Sequence, residues 1–173
     1  MTAEEAIKTA LEYENKVHRT YLEAAGNAHH TEAKRFFELM AEEEKGHVDY
    51  LQEKLDQWKL EGRIDSSQLK TALPSVGRIT EGLHQMENKL NKSSSPSAFD
   101  AEIASLHKAL SAEEETSSFY EEMVSELKDD VQGLFTRFLE IEKGHKAMVE
   151  AEIDSVENNG FWYDIQEFNQ ELD

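Results

Sequence analysis

The tetrapeptide Glu-Lys-Gly-His occurs twice in this sequence, at residues 44–47 and again at residues 142–145. A glutamate with a tyrosine seven residues after it precedes each copy, as Glu14 with Tyr21 and as Glu113 with Tyr120. The interval between the two glutamates is 30 residues in the first half and 29 residues in the second. Carboxylates and imidazoles bind divalent cations, so this repeated order predicts a site for two metal ions.

The three-residue step from Glu44 to His47, repeated from Glu142 to His145, has a geometric meaning in a helix. Side chains three positions apart lie on the same helix face, so a carboxylate and an imidazole spaced in this way can reach one metal ion. The step alone is weak evidence in a glutamate-rich chain, because short motifs recur by chance. The specific signal is the ordered set, in which Glu-x6-Tyr precedes Glu-x-x-His in both halves.

Two further matches to these spacings are interpreted as accidental. Glu81 with His84 repeats the Glu-x-x-His step, and Glu43 with Tyr50 repeats the seven-residue step. Both glutamates lie off the apolar stripe of the helix predicted around them. Glu43 is therefore interpreted as part of a solvated acidic face and not as a ligand.

Other histidines lie outside the repeated pattern. His18 follows Glu14 by four residues, but the corresponding residue of the second half is Ser117, so His18 is interpreted as a partly buried spectator. His29 and His30 fall in a predicted turn and are interpreted as solvated.

Composition limits the fold and the partners. The 173 residues are enough for one domain with a sizeable core, and only two of them are proline. Glu, Lys, Leu and Ala, which favour helices, are abundant, so we predict an all-α fold. The formal net charge of −19 argues against binding to nucleic acid or to an anionic membrane surface. The absence of cysteine excludes disulfides and thiolate-held iron–sulfur centres within these residues.

The sequence also gives an expectation for localisation. Its first residues show neither the basic nor the apolar region of a signal peptide. No apolar run approaches the ~20 residues that a membrane-spanning helix needs. We therefore expect a cytoplasmic protein.

Apolar stripes with three- and four-residue steps predict four long helices arranged as two hairpins. The hairpins cover about residues 2–61 and 97–158, and a long connection covers about residues 62–96. Together they form one predicted domain over residues 1–160, followed by an aromatic tail over residues 161–173.

Several residues predict where the helices begin and end. Thr2 with Glu5 forms a capping box at the start of the first helix, and Gly62 suits the end of the second. Asp129 or Asp130 is expected to cap the last long helix.

The repeated glutamates fall at one level of the predicted bundle. The midpoint between Glu14 and Glu44 lies in the turn of the first hairpin, and the midpoint between Glu113 and Glu142 lies in the turn of the second. Each arm of about 15 residues is about 22 Å long at the helical rise. Ionised carboxylates in an apolar core are very unfavourable without a partner. Two divalent cations would supply four positive charges against the four carboxylates.

These motifs resemble those of the ferritin-like superfamily, and within it those of the rubrerythrin-type di-iron proteins. The resemblance implies a ferritin-like four-helix bundle in which a crossover connection makes the third long helix parallel to the second. It also implies roles for the eight repeated residues: Glu14 and Glu113 as terminal ligands, Glu44 and Glu142 as bridging ligands, His47 and His145 as nitrogen ligands, and Tyr21 and Tyr120 as hydrogen-bond donors to ligand carboxylates.

The cofactor implied by the resemblance is a pair of iron ions, and manganese or zinc would also suit these ligands. Rubrerythrins proper carry a rubredoxin domain with cysteine ligands, so an external electron donor is expected for this cysteine-free chain. Thr116 stands where rubrerythrins have a further glutamate, which argues against their ligand exchange. Lys45 stands where bacterioferritins have the methionine that binds haem, so no haem is expected.

The function implied by the resemblance is the reduction of hydrogen peroxide or dioxygen at a carboxylate-bridged di-iron centre. A homodimer is expected, because the short aromatic tail favours a dimer over a cage. One alternative is a ferroxidase that stores iron inside a large cage, and another is a helical interaction scaffold without metal. The residue pattern leaves open the native metal, the path of residues 63–97, and whether the hairpins are exchanged between chains.

Overall fold

The computed structural model describes residues 1–66, 69, 71, 73, 76–87 and 96–163. Within these ranges all regular secondary structure is helical, which confirms the predicted all-α class. The helices are α1 (Ala3–Asn27), α2 (Thr31–Glu61), α3 (Val76–Glu87), α4 (Asp100–Glu126) and α5 (Asp129–Asn159), with a 3-10 turn at Pro96–Phe99. A search of the described helices finds no segment with the length and apolar character of a membrane span.

A capping box and two glycines delimit the long helices. Thr2 Oγ1 accepts the backbone N–H of Glu5 at 3.3 Å, and Glu5 Oε2 accepts the backbone N–H of Thr2 at 2.8 Å. Gly62 and Gly160 end α2 and α5 with φ values of 66° and 62°. Glycine adopts this left-handed conformation without steric cost, so the predicted stop at Gly62 is confirmed.

The start of α5 differs from the prediction. Its N-cap is Lys128, which makes no side-chain capping bond, so neither Asp129 nor Asp130 caps the helix. Because α4 ends at Glu126, only Leu127 and Lys128 remain for the reversal of the chain, and Asp129, the first residue of α5, takes a φ of 59° beside it. Aspartate tolerates this left-handed region better than most residues. Asp129 therefore serves the tight turn instead of the cap.

The two hairpins pack with α1 antiparallel to α4. Three ion pairs establish the direction, since residue numbers rise along α1 as they fall along α4: the Met1 amino group with Glu126, Lys16 with Glu115, and Glu23 with Lys108. Because α1 and α2 form a hairpin, α2 runs parallel to α4. The end of α2 and the start of α4 therefore lie at opposite ends of the bundle.

The core of the bundle consists of two apolar clusters, one on each side of the repeated glutamates and histidines. In α1 the buried stretch Ala6–Ala10 belongs to one cluster and Val17–Ala25 to the other, with Glu14 between them. The same division recurs in α2, α4 and α5. Every long helix is therefore held by apolar packing both above and below the polar level.

The first residues of the predicted tail complete one of these clusters. The Trp162 ring lies 6.1 Å from the Phe36 ring, 5.9 Å from the Phe37 ring and 6.1 Å from the Phe99 ring, measured between centroids. Trp162 is only 6% exposed, so the start of the tail belongs to the core. The remainder of the tail, residues 164–173, lies outside the described part of the chain.

The described residues of the connection lie against α2 and α5. Leu69 and Leu73 are both 7% exposed, and the Leu69 carbonyl accepts a hydrogen bond from Arg137 of α5 at 3.4 Å. Thr71 Oγ1, between the two leucines, donates to Glu43 Oε2 of α2 at 2.7 Å. The connection is thus tied to both helices at about the level of the site.

Candidate metal centre

All four long helices contribute to one buried polar level in the middle of the bundle. Each contributing residue is at most 1% exposed, and the set consists of Glu14 from α1, Glu44 and His47 from α2, Glu113 from α4, and Glu142 and His145 from α5. Apolar residues precede and follow each of them on the same helix face. A rotation that exposed these side chains to solvent would also expose the apolar stripes, so the packing fixes their inward direction.

His47 faces three of the four carboxylates through the same ring nitrogen. Its Nδ1 lies 3.2 Å from Glu14 Oε2, 3.3 Å from Glu44 Oε2 and 3.3 Å from Glu142 Oε1. Glu14 and Glu44 belong to its own hairpin, whereas Glu142 comes from the other one.

His145 repeats this arrangement from the second hairpin. Its Nδ1 lies 2.6 Å from Glu44 Oε1, 3.7 Å from Glu142 Oε1 and 3.9 Å from Glu113 Oε1. The two imidazole rings are stacked, with centroids 5.1 Å apart and planes inclined by 7°.

The distances divide the carboxylates into two kinds. Glu44 and Glu142 approach both histidines, whereas Glu14 approaches His47 and Glu113 approaches His145. Glu44, His47, Glu142 and His145 each offer one oxygen or nitrogen atom, and these four atoms all lie within 4.8 Å of one another. The arrangement matches the bridging and terminal positions that the family resemblance implies. The role of these residues as ligands stays a prediction.

Two tyrosines connect the hairpins by hydrogen bonds to the outer carboxylates. Tyr21 of α1 donates to Glu113 Oε1 at 2.5 Å, and Tyr120 of α4 donates to Glu14 Oε1. Burial raises the pKa of both phenols well above the usual value, and the neighbouring carboxylates add to the shift. Both tyrosines therefore stay protonated and act as donors.

The electrostatics of this level are unfavourable for the protein alone. Burial raises the pKa of Glu142 to about 8, and the charges of Glu14 and Glu44 add to that shift. Burial likewise raises the pKa of Glu44 and of Glu113, each with help from another carboxylate. Glu14 is the exception, because His47, Glu44 and Tyr120 outweigh burial and hold its pKa below the ordinary value.

The two imidazoles respond in opposite directions. Burial favours the neutral form of both rings. At His47 the charges of Glu44 and Glu14 outweigh burial and raise its pKa well above the usual value. At His145 burial prevails and lowers the pKa. The pKa values of the two imidazoles thus shift in opposite directions, although Glu44 and Glu142 approach both rings.

Apart from the ion-pair contacts described above, a set of buried atoms at this level makes no hydrogen bond of suitable geometry. These atoms are both carboxylate oxygens of Glu44 and of Glu142, Glu113 Oε2, His47 Nε2, and both ring nitrogens of His145. Buried polar atoms are nearly always hydrogen-bonded in native proteins, so a cluster of this size calls for another partner. Carboxylate oxygens and imidazole nitrogens suit iron or manganese, and zinc is compatible. The residues therefore fit a metal pair with +4 charge against four carboxylates.

Sequence reasoning missed one residue that faces this level from outside. Glu43 was expected on a solvated face, but its side chain is 12% exposed and its Oε2 lies 3.9 Å from His145 Nε2. The error comes from treating the helix as having one inward face. Glu43 lies about 100° around α2 from Glu44, on the side toward α5 and the connection.

A second miss concerns the turn between α1 and α2. His30 was expected to be solvated, but its Nδ1 lies 2.9 Å from Glu102 Oε1 of α4. The same oxygen accepts the backbone N–H of His29 at 2.9 Å and that of His30 at 3.3 Å. Glu102 therefore holds the turn that precedes α2 from another helix, a contact for which the local sequence gives no signal.

The positions interpreted as accidental or structural divide as follows. Glu81 is exposed on α3, and the side chain of His84 lies outside the described residues. His18 is partly buried, as expected for a spectator. Thr116, where rubrerythrins have a further glutamate, is buried and donates its hydroxyl hydrogen to the Ala112 carbonyl at 2.9 Å.

Comparison with known proteins agrees with these observations. The sequence model of the rubrerythrin family matches residues 4–91, which span α1, α2 and the connection as far as α3 and a few residues beyond. No curated protein and no solved structure matches the chain. The matched segment is just over half of the 173 residues and contains one of the two Glu-x-x-His pairs on the bundle stripes. The chain belongs to the rubrerythrin family.

Proposed function

We propose that this chain is a non-haem di-iron oxidoreductase that reduces hydrogen peroxide or dioxygen with electrons from an external donor. The observation that supports the proposal most strongly is the buried level of four carboxylates and two imidazoles with unpartnered atoms. Membership of the rubrerythrin family supports the same reaction class.

A scaffold without metal is a poor explanation of this level. Buried charged groups are often less stabilising than apolar residues of similar size, so a helix bundle gains nothing from them structurally. Each of the four helices nevertheless places a carboxylate at the same height between two apolar clusters. A bound pair of divalent cations removes this conflict, because it supplies both the charge and the missing partners.

Each residue has a definable task in the proposed site. Glu44 and Glu142 would bridge the metal pair, since each approaches both histidines. The hydrogen bond from Tyr120 to Glu14 Oε1 leaves Oε2, which faces His47, available for the metal. In this way the tyrosine fixes the orientation of a carboxylate that would otherwise rotate.

The hydrogen bond from Tyr21 has the corresponding effect on the other side. It engages Glu113 Oε1 and leaves Oε2 without a hydrogen-bond partner. A bound ferrous pair would supply the two electrons that cleave the O–O bond of hydrogen peroxide. Together with two protons, these electrons convert the peroxide to two water molecules. The protein contributes ligand geometry and an interior that keeps out bulk water.

The return of electrons is assigned to another molecule. The 173 residues contain no cysteine, so they cannot hold the thiolate-bound iron that serves as an electron relay. We further propose that the functional unit is a homodimer, which predicts a native mass near twice 19.8 kDa. An iron-storing cage would instead give a far larger assembly.

The test is rapid mixing of ferrous-loaded protein with peroxide. Metal-free protein is reloaded without oxygen with two Fe(II) per chain and mixed with hydrogen peroxide in a stopped-flow spectrometer. The proposal expects oxidation much faster than that of free ferrous ion, with two Fe(II) consumed per peroxide, and repeated turnover when a chemical reductant is present. Oxidation no faster than that of free ferrous ion contradicts it.

The comparison of oxidants and the native mass separate the alternatives. Preference for dioxygen together with a large hollow assembly would replace the proposal with iron storage. The variant Glu150→Gln, which changes an exposed carboxylate on α5, is the control and should behave as the unmodified protein.

A further inference from the structure

The two histidines of the centre differ in what lies behind them. The Nε2 atoms of both imidazoles are buried without a hydrogen-bond partner, and the Phe138 ring packs edge-on against the His47 imidazole with centroids 5.4 Å apart. Behind His145, in contrast, the Glu43 carboxylate approaches Nε2 to 3.9 Å from the neighbouring helix. The His47 imidazole therefore contacts an aromatic ring, and the His145 imidazole faces an acidic group.

The sequence repeat shows that this difference is built into the chain. Glu43 immediately precedes Glu44, and the residue that precedes Glu142 is Ile141. The second hairpin therefore has no carboxylate at the position that corresponds to Glu43. The asymmetry comes from the residue types themselves and not from a local shift of one side chain.

Thr71 of the connection holds Glu43 in place. Its hydroxyl donates to Glu43 Oε2 at 2.7 Å and accepts the backbone N–H of Leu73 at 3.1 Å. The connection is also attached to α5, because Arg137 donates to the Leu69 carbonyl at 3.4 Å. The oxygen that faces His145 is thus the same oxygen that the connection orients.

We infer that Glu43, oriented by Thr71, is a positioning residue that makes the metal position beside His145 tighter than the one beside His47. The inference rests on the proposed function, since it requires a metal pair at the buried level. Its basis is the arrangement of Glu43, Thr71 and His145.

The physical basis is the proton on the outer ring nitrogen. An imidazole that binds a metal through Nδ1 carries its proton on Nε2 and can donate it. A carboxylate that accepts this proton orients the ring and strengthens its nitrogen as a ligand. The present distance of 3.9 Å is in ion-pair range and exceeds a hydrogen bond by under about 1 Å. Such contacts often tighten when the ligand binds.

Binding of Co(II) to the full chain tests the inference, because cobalt accepts the same nitrogen and oxygen ligands. Glu43→Gln keeps the shape and removes the charge, and Thr71→Val keeps the shape and removes the hydroxyl. Glu43→Gln should lower the affinity for one of the two Co(II) ions by about 10- to 100-fold and leave the affinity for the other unchanged. Thr71→Val should act on the same ion with a smaller effect. The matched controls, Glu42→Gln on exposed α2 surface and Thr136→Val on exposed α5 surface, should change neither ion.

A spectroscopic signature separates positioning from a general structural effect. In the Co(II) protein each coordinated imidazole should give a paramagnetically shifted N–H proton signal, and the signal absent from His145→Gln belongs to His145. Glu43→Gln should move that signal and speed its exchange with solvent, while the His47 signal stays in place. Glu43→Asp keeps the charge on a shorter side chain, so it should change the His145 signal less than Glu43→Gln does.

The outcomes distinguish the two proposals. If the unmodified chain binds no Co(II), the metal centre itself is wrong and the proposed function fails with it. If the unmodified chain binds two Co(II) ions but Glu43→Gln weakens both equally or neither, the inference about Glu43 fails and the metal centre stands.

Discussion

The two hairpins present the same ligand pattern in different surroundings. Both bring one glutamate from the first helix and a Glu-x-x-His pair from the second to the same buried level. Yet the match to the rubrerythrin family covers the first hairpin and ends at residue 91, before α4 begins. The six inward side chains are the same residue types in both hairpins, whereas the residues around them differ.

The surroundings differ at positions that the repeat makes comparable. His18 in α1 corresponds to Ser117 in α4, and Glu43 in α2 corresponds to Ile141 in α5. The helix α5 is also more enclosed, since it carries a further glutamate, Glu152, that is 0% exposed and accepts the Tyr163 backbone N–H at 3.1 Å. A symmetric site thus lies inside an asymmetric protein, and variants made in matched pairs measure the difference.

The largest effect is expected from removal of either central carboxylate. Glu44→Ala and Glu142→Ala should each abolish binding of both metal ions, because each glutamate approaches both histidines. We expect affinity to fall by at least about 100-fold, the upper end of what loss of a supporting contact costs. Metal content after dialysis, measured by mass spectrometry, checks this.

The matched controls for these variants are Glu42→Ala in α2 and Glu150→Ala in α5, both of which change exposed carboxylates. Metal content that stays at two ions per chain in Glu142→Ala would reject a bridging role for Glu142. A loss of both ions in one variant but of a single ion in the other would show that the hairpins do not contribute equally.

The outer carboxylates should separate the two metal positions. Glu14→Gln should lower the metal content to one ion per chain by weakening the position beside His47, and Glu113→Gln should do the same beside His145. The glutamine side chain keeps the shape but offers one neutral oxygen in place of a charged pair. Titration with Fe(II) under anaerobic conditions, followed calorimetrically, resolves the two steps. Loss of both ions in either variant contradicts the assignment of these residues to one ion each.

The sequence predicted the parts of this site that depend on local periodicity. Glu14, Glu44 and His47 lie on apolar stripes with helical steps, and their inward direction follows from that pattern. The burial of the eight repeated residues and the helical class could therefore both be predicted from the sequence. Spacing alone could not show that α2 runs parallel to α4, which the ion pairs between α1 and α4 establish.

The contacts that escaped prediction join distant segments through residues off the main stripe. Glu43 meets Thr71 from the connection and His145 from another helix, and Glu102 meets the turn before α2. No local pattern marks such a residue, since its partner is set by the packing of the whole bundle. The cap predicted at Asp129 or Asp130 failed for the opposite reason, because a two-residue turn constrained the backbone more than capping did.

Replacement of either tyrosine should weaken metal binding, by an intermediate amount, at the position beside the histidine of the other hairpin. Tyr120→Phe removes a donor to Glu14, so it should weaken the ion beside His47 by about 10-fold, although Tyr120 belongs to the second hairpin. Tyr21→Phe should weaken the ion beside His145 through Glu113 in the same way. Two-step Co(II) titrations measure both effects.

The control for the tyrosine variants is Tyr13→Phe. Tyr13 stacks on Phe119 with ring centroids 4.9 Å apart. Within the described part of the chain, the tyrosines that donate to the site carboxylates are Tyr21 and Tyr120, and not Tyr13. If Tyr120→Phe weakened the ion beside His145 instead, the hydrogen bonds across the two hairpins would have to be assigned differently.

The smallest effect concerns the turn of the first hairpin. Neither α2 nor α5 has a side-chain cap at its N-cap residue, but Glu102 of α4 accepts the backbone N–H groups of His29 and His30 in the turn before α2. Glu102→Gln should lower the free energy of unfolding by about 1–2 kcal/mol at pH 7, because Glu102 is 2% exposed and its charge-assisted hydrogen bonds are lost. Urea denaturation of both proteins gives the difference.

The pH dependence of that difference gives the sign of the effect. Burial raises the pKa of Glu102, but hydrogen bonds from His30 and from the His29 backbone outweigh burial and hold the pKa below the ordinary glutamate value of 4.5. A folded-state pKa below the unfolded one means that the carboxylate stabilises the protein above pH 4.5, and that this contribution disappears as pH falls through the folded-state value. The gap between the two proteins should therefore be constant near neutrality and close in acid.

Glu157→Gln, which breaks the more exposed ion pair with His107, should show no such gap, since solvent screens that pair. A gap that widened in acid would mean that Glu102 is held protonated in the fold and that the start of α2 depends on other contacts.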